Sequence, residues 1–225
     1  MKTIHHASLT FGVCLLGATS LWGAAFDSGS NGSYGAIDLT TSTNLDVPPD
    51  GIFHCTTVRI PGGTALFLNR NALNTPVYLL AQSNVVIGGQ IYVPGATSSG
   101  TSPGRGGPGG FDGGFGSFQG KPAGAGQGPG GGTPFSANPG GVYAYPTAAN
   151  TNAYGNTLLI PLVGGSGGSG RPLSGGDGGG GGGGAILIAS STRITLNFLS
   201  GGANNVVATG GPGFGGGSGG AEARF

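Results

Sequence analysis

Residues Thr56–Pro94 read TTVRIPGGTALFLNRNALNTPVYLLAQSNVVIGGQIYVP. Apolar residues come here in short runs: Val58 and Ile60, Leu66 to Leu68, Val77 to Leu80, Val85 to Ile87, and Ile91 to Val93. Turn chemistry separates them, at Pro61-Gly62-Gly63, Asn69 to Pro76, Gln82-Ser83-Asn84 and Gly88-Gly89. Such runs are too short for helices and are rich in β-branched residues. They predict three or four short strands joined by tight corners. This is the longest part of the chain that could build a core, so the core is expected here.

Just upstream, Ile52 to Ile60 alternates, with Ile52, His54, Thr56, Val58 and Ile60 expected on one face and Phe53, Cys55, Thr57 and Arg59 on the other. His54 and Cys55 then point to opposite sides of one strand, which excludes a Cys–His catalytic pair or a shared metal. Ala36 to Leu39 also alternates, and Pro48-Pro49-Asp50-Gly51 makes the turn between. The lead-in FDSGSNGSYG (residues 26–35) is turn-rich. Set against a calcium loop of the DxDxDG type, it offers Asp27, Asn31 and Gly32, with Asp38 at the twelfth position. Gly29 leaves the third ligand position empty, so a solvated turn is the competing reading.

Downstream the composition changes at Gly95. From there to Gly184, 34 of 90 residues are glycine. Glycine falls at every third position at 104, 107, 110, 113 and 116, loses register at Gln119, and regains it at 164, 167 and 170. A three-residue period suits polyproline II, while its interruption excludes a collagen triple helix. The aromatics Phe111, Phe115, Phe118, Phe135, Tyr143, Tyr145 and Tyr154 are spread through the segment and offer packing against the β core or a partner. After the heptaglycine 178–184, Ala185 to Leu199 resembles Val77 to Ile87, matching Leu79, Ala81 and Ser83 to Leu187, Ala189 and Ser191. Strand, polar corner and strand repeating in this way read as a solenoid. Val206 to Ala208 adds a short strand. The expected fold is all-β: a short right-handed parallel β-helix or solenoid with a long Gly-rich insertion, irregular or polyproline II, looped out between coils.

The first 25 residues read as an export signal: Lys2, an apolar stretch from Ala7 to Trp22, and small residues at Gly23-Ala24-Ala25, with Phe26 the first mature residue. The chain then divides into a signal (1–25), an N-terminal β region (26–94), the Gly-rich insertion (95–184) and a C-terminal β coil with a Gly-rich end (185–225). No later apolar run reaches membrane-spanning length. Removing the signal leaves Cys55 without an internal disulfide partner, and a buried apolar thiol is favoured over an intermolecular bridge. Charged residues are 7% of the chain and the net charge is +1, which gives no electrostatic footprint for nucleic acid or an acidic membrane.

FDSGSNGSYGAIDLT, PPDGIFHCTTVRIPGG and GGGGGGGAILIAS resemble a group of exported, glycine-rich bacterial proteins. These open with F-D-S-G-S-x-G and D-G-x-F-x-x-T-V-x-I-P and then alternate strands with glycine runs. The resemblance covers residues 26–95 well and 185–202 loosely. It implies a right-handed parallel β-helix at the cell surface and supplies no catalytic residue.

The mature carboxylates, Asp27, Asp38, Asp46, Asp50, Asp112, Asp177 and Glu222, are scattered, and no two share a predicted strand face. No nucleophile–base–orienter set is apparent. The expected function is an exported structural or adhesive protein without catalytic activity or cofactor, calcium aside, whose partners are a second copy, extracellular matrix or polysaccharide. The alternatives are a carbohydrate- or ice-binding module, the ice version weakened by irregular threonine spacing, and a β-helix enzyme acting on polysaccharide.

Overall fold

The computed structural model describes residues 25–134, 154, 158, 160–172, 176–197, 205–214 and 220. The signal segment therefore lies outside the described residues, as do Phe135, Tyr143, Tyr145 and the last five residues. The described chain is all-β, without a helix. Ten strands form two sheets, and every strand pair is parallel.

The chain alternates between the sheets. On the first sheet lie β1 (Gly35–Asp38), β3 (Ile52–Ile60), β5 (Val77–Ala81), β6 (Val85–Ile87), β8 (Ile186–Ser190) and β9 (Ile194–Leu196). On the second lie β2 (Thr43–Asp46), β4 (Ala65–Asn69), β7 (Gln90–Tyr92) and β10 (Val206–Val207). Strands β5 and β6 lie end to end along β3, and β8 and β9 lie end to end along β5 and β6. Each pass thus repeats the one before it. Between the sheets Phe53, Cys55, Val58, Ile60, Leu66, Leu79, Ile87 and Ile91 are fully buried.

Three sequence expectations are corrected. The single alternation of β3 breaks: Phe53 and Cys55 are buried, but so are Val58 and Ile60. The face changes across Thr56-Thr57, where the neighbouring chain turns its corner. Ser83 N–H donates to Thr56 O at 2.9 Å and Val58 N–H to Asn84 O at 3.1 Å. The repeat between residues 77–87 and 185–194 is real but pairs one residue further on, Leu79 with Ile188 and Val85 with Ile194. That register keeps Ile188 packed against the core, whereas the sequence-matched one would turn it outward. β2 was not expected because TNLD is polar; its ladder with β4 forms it.

The third correction concerns the glycine-rich segment, whose described residues are laid against the strands and one another rather than looped away. Along β7 the chain bonds the last pass at every second residue, Ile91 N–H to Asn205 O, Val93 to Val207 and Gly95 to Thr209. Beyond Gly95 the step becomes three, with Ser98 N–H to Pro212 O. The same step of three recurs along the segment's described residues. Gly104 and Gly107 donate to Gly179 and Gly182, while Phe111, Gly114 and Ser117 donate to Gly165, Gly168 and Arg171.

The heptaglycine lies at the centre of this assembly. Gly178, Gly181 and Gly184 donate to Gly100, Ala96 and Val93, and Gly179 and Gly182 to Gly114 and Phe111. The carbonyls of Gly180 and Gly183 accept from Gly168 and Gly165. A Cβ on any of the seven would stand closer than 3.0 Å to backbone. Gly178, Gly181 and Gly184 would meet Ser102, Arg105 and Pro108; Gly179 and Gly182 would meet Gly168 and Gly165; Gly180 and Gly183 would meet Gly211 and Ala208. Backbone occupies all three directions, so no position in the run tolerates a side chain. Side-chain and backbone bonds hold this layer to the sheets. Asn74, itself at φ 52°, donates from its amide to Gly110 O at 2.7 Å and accepts from Gly109 N–H at 3.0 Å, and Ala185 N–H donates to Pro108 O at 2.8 Å.

The lead-in runs across the passes. Ser28 Oγ donates to Ala81 O at 2.7 Å and Ser30 Oγ to Cys55 O at 2.7 Å, while Ser28 N–H donates to Ser191 Oγ at 3.0 Å. Gly29 takes φ 77° between the two serines, a conformation glycine adopts at no steric cost. The alternate serines thereby fasten three successive passes at their corner row.

Candidate ligand-binding face

The outer surface of the second sheet carries a candidate ligand-binding groove. Leu66, Leu68 and Ile91 point inward there, so their neighbours point out. Register aligns Asn44, Phe67, Tyr92 and Val207 as one outward row across all four strands. Phe67 and Tyr92 stack with ring centroids 4.9 Å apart and planes inclined by 16°. Phe67 is 37% exposed, because the residue beside it on the row, Asn44, is short. The stack therefore ends on an open aromatic face over an amide.

Polar groups surround that face. Asn69 donates to Asp46 Oδ1 at 3.0 Å, and Tyr92 donates its hydroxyl proton to Gln90 Oε1 at 2.9 Å. The Asn69 carbonyl oxygen and the lone pairs of the Tyr92 oxygen are left as acceptors. Where the sheet meets the glycine layer, Arg70 pairs with Asp112, whose Oδ1 also accepts from Gly106 N–H at 2.8 Å. Arg70 further donates to Gly106 O at 3.4 Å. This mostly buried clamp forms one wall. Beyond it lie Pro94, Ala96 and Arg105, closing a groove of about 350 Å³. Arg105 is exposed, and its side chain has no carboxylate partner among the described residues. The groove thus combines an aromatic platform, the Asn44 amide, the remaining acceptors of Asn69 and Tyr92, and one cation without a carboxylate partner among the described residues.

The residues singled out from sequence lie elsewhere. Asp27 Oδ1 accepts from Gly29 N–H at 2.9 Å and Asn31 Oδ1 from Ser33 N–H at 2.9 Å, each closing its own turn. Asp38 sits on β1 and pairs with Arg59 at 3.0 Å. Among the described residues no group of three or more His, Cys, Asp or Glu side chains is placed to hold a metal ion. Cys55 is free and fully buried, and burial pushes its thiol up to about 11. His54 Nδ1, on the opposite face, accepts from Asn31 N–H at 3.3 Å. Tyr34 rests edge-on against Phe53 at 5.0 Å, and its hydroxyl pKa is raised by burial and by Cys55.

Sequence reasoning missed Phe67 and Tyr92 as a pair. The signal lay in ALFLN and QIYVP, which place one aromatic each at an outward position of neighbouring passes. Of the aromatics it did name, Phe115 and Phe118 stand exposed and Phe111 lies beside Gly128. Tyr154 donates to Gly164 O at 2.7 Å. Comparison with family models, curated proteins and solved structures finds no match to this chain. No described helix is long and apolar enough to cross a membrane.

Proposed function

We propose that this chain is an exported structural or adhesive protein without catalytic activity, in which a short right-handed parallel β-helix carries a layer of polyproline II segments. The observation that carries the reading is the heptaglycine enclosed by backbone on all sides. Glycine in these numbers weakens any chain through lost conformational entropy. Holding it in a layer of interlocked backbones favours a role in which stiffness and surface, not a mobile active site, are selected. The hydrogen-bond step of three matches three residues per turn. Parallel passes of this type are right-handed in nearly all known cases, which supports the hand. The apolar stretch ending at Gly23-Ala24-Ala25 supports export, and the grouped motifs support kinship with glycine-rich surface proteins.

Self-association is favoured by the last pass. Ile194 and Leu196 stand in register with buried Val85 and Ile87, yet are 42% and 54% exposed. An apolar strand edge left in this way is a template for pairing. Size-exclusion chromatography of the mature chain, with retention on insoluble polysaccharide, tests the reading. Self-association or retention is expected, and a stable monomer retained by nothing overturns it.

Carbohydrate binding is the second reading, favoured by the Phe67–Tyr92 platform.

A further inference from the structure

The geometry points to a subsite for an acidic saccharide, a sugar ring bearing a carboxylate, in the groove between Phe67 and Arg105. This rests on the adhesive reading and names its ligand class.

Three observations carry it. First, the aromatic row is unfinished. Tyr92 covers one face of Phe67, while Asn44 leaves the other open. A pyranose ring laid over Asn44 would set its apolar C–H face against Phe67 and remove that open aromatic face from water. Second, the groups around that position suit hydroxyls. The Asn44 amide has both donor and acceptor capacity, Asn69 retains its carbonyl oxygen and Tyr92 its lone pairs, all on the outward surface of rigid strands. A pocket lined by aromatic groups and a few placed polar ones is the usual form of a small-molecule site, and about 350 Å³ lies at the lower end of the ~300–1,000 Å³ such sites span.

Third, the charge is specific. Arg70 is neutralised by Asp112, and that clamp is occupied by Gly106 as well. Asp46 lies one row aside and is capped by Asn69. Arg105 alone on the groove wall has no acidic partner. An exposed guanidinium selects a carboxylate by a forked, charge-assisted hydrogen bond, in a molecule that is otherwise almost uncharged. A neutral saccharide would use the platform and leave Arg105 idle; an inorganic anion would use Arg105 and leave the platform idle. The site as built asks for both in one ligand.

The test is titration calorimetry of the mature chain with trigalacturonic acid, galactotriose and inorganic phosphate, on wild type, Phe67→Ala and Arg105→Gln. Both side chains are on the surface, and circular dichroism reports that the variants fold. Wild type is expected to bind the acidic trisaccharide at least about tenfold more tightly than the neutral one, a preference lost in high salt. Phe67→Ala should weaken both sugars by about tenfold, as losing an aromatic stacking partner does. Arg105→Gln should weaken only the acidic one. Phosphate binding as strong as trigalacturonate, unaffected by Phe67→Ala, would reduce the site to an anion contact and overturn the proposal. So would equal binding of both sugars, or no binding of either. Retention of both variants on insoluble polysaccharide at the wild-type level would remove this site while leaving adhesion intact; a wild type that is neither retained nor self-associated would remove the adhesive reading.

Discussion

Single residues in this protein are constrained by backbone as much as by side chains. A methyl added at Gly182 would overlap the carbonyl oxygen of Gly165, and no flexible side chain stands there to yield. Gly182→Ala is therefore expected to cost more than the ~1–3 kcal/mol typical of overpacking a side-chain core. Gly62→Ala is the control. Its Cβ would meet Gly88 O at 3.5 Å, an ordinary contact, and urea denaturation should find it neutral or slightly stabilising. Cys55 gives a pH signature. Its folded-state pKa is raised from 9.0 to about 11 by burial, so the unfolded chain releases the proton first as pH rises. Stability should be level below pH 9 and fall between there and about 11. Tyr34 titrates above its usual range beside it, so Cys55→Ala should flatten the fall only in part, as followed by thermal unfolding. Thiol reagents should label Cys55 only after unfolding.

Elements here are held by what crosses them. The lead-in contributes no strand before Gly35, yet Ser28 and Ser30 tie three passes together at Cys55, Ala81 and Ser191. Ser28→Ala removes a buried hydroxyl from Ala81 O, which keeps the Ser191 N–H at 3.0 Å, so the loss is that of one hydrogen bond, about 0.5–1.5 kcal/mol. Adding Ser30→Ala should lower the denaturation midpoint further. If the pair matched wild type, the serines would not be fastening the passes. Much of this architecture was legible. The runs at Val77–Leu80 and Val85–Ile87 are strands because apolar period and turn residues agree, and so is Val206–Val207. What escaped has a physical cause in each case. A corner on a neighbouring pass reversed the face of β3, through contacts such as Thr56–Ser83 and Val58–Asn84 between residues far apart in sequence. β2 depends on a partner ladder, not on its own residues. The groove needs Asn44, Phe67, Tyr92 and Arg105 together, and only register and the layer beyond Gly95 bring them there.

At the scale of the whole molecule, two periodicities are joined through Gly95, Asn74 and Ala185, and both halves should unfold in one transition. Amide exchange offers the sharpest check. Gly113 and Gly116 are bonded, as are Gly114 and Ser117, while the N–H groups of Asp112 and Phe115 have no bond among the described residues. Protection should therefore repeat as two slow amides and one fast along residues 112–117. Uniformly fast exchange there would mean that the layer does not hold in solution. The enclosed glycine run also sets an arithmetic on the gene. In the polyproline II layer proposed above, with three residues per turn, one glycine gained or lost rotates every later N–H by about a third of a turn and aims it at the wrong neighbour. Three gained or lost restore the phase and shift the chain by about 9 Å along its axis. Length changes between Gly178 and Gly184 are thus read modulo three, a second reading frame imposed by the fold rather than by the codons.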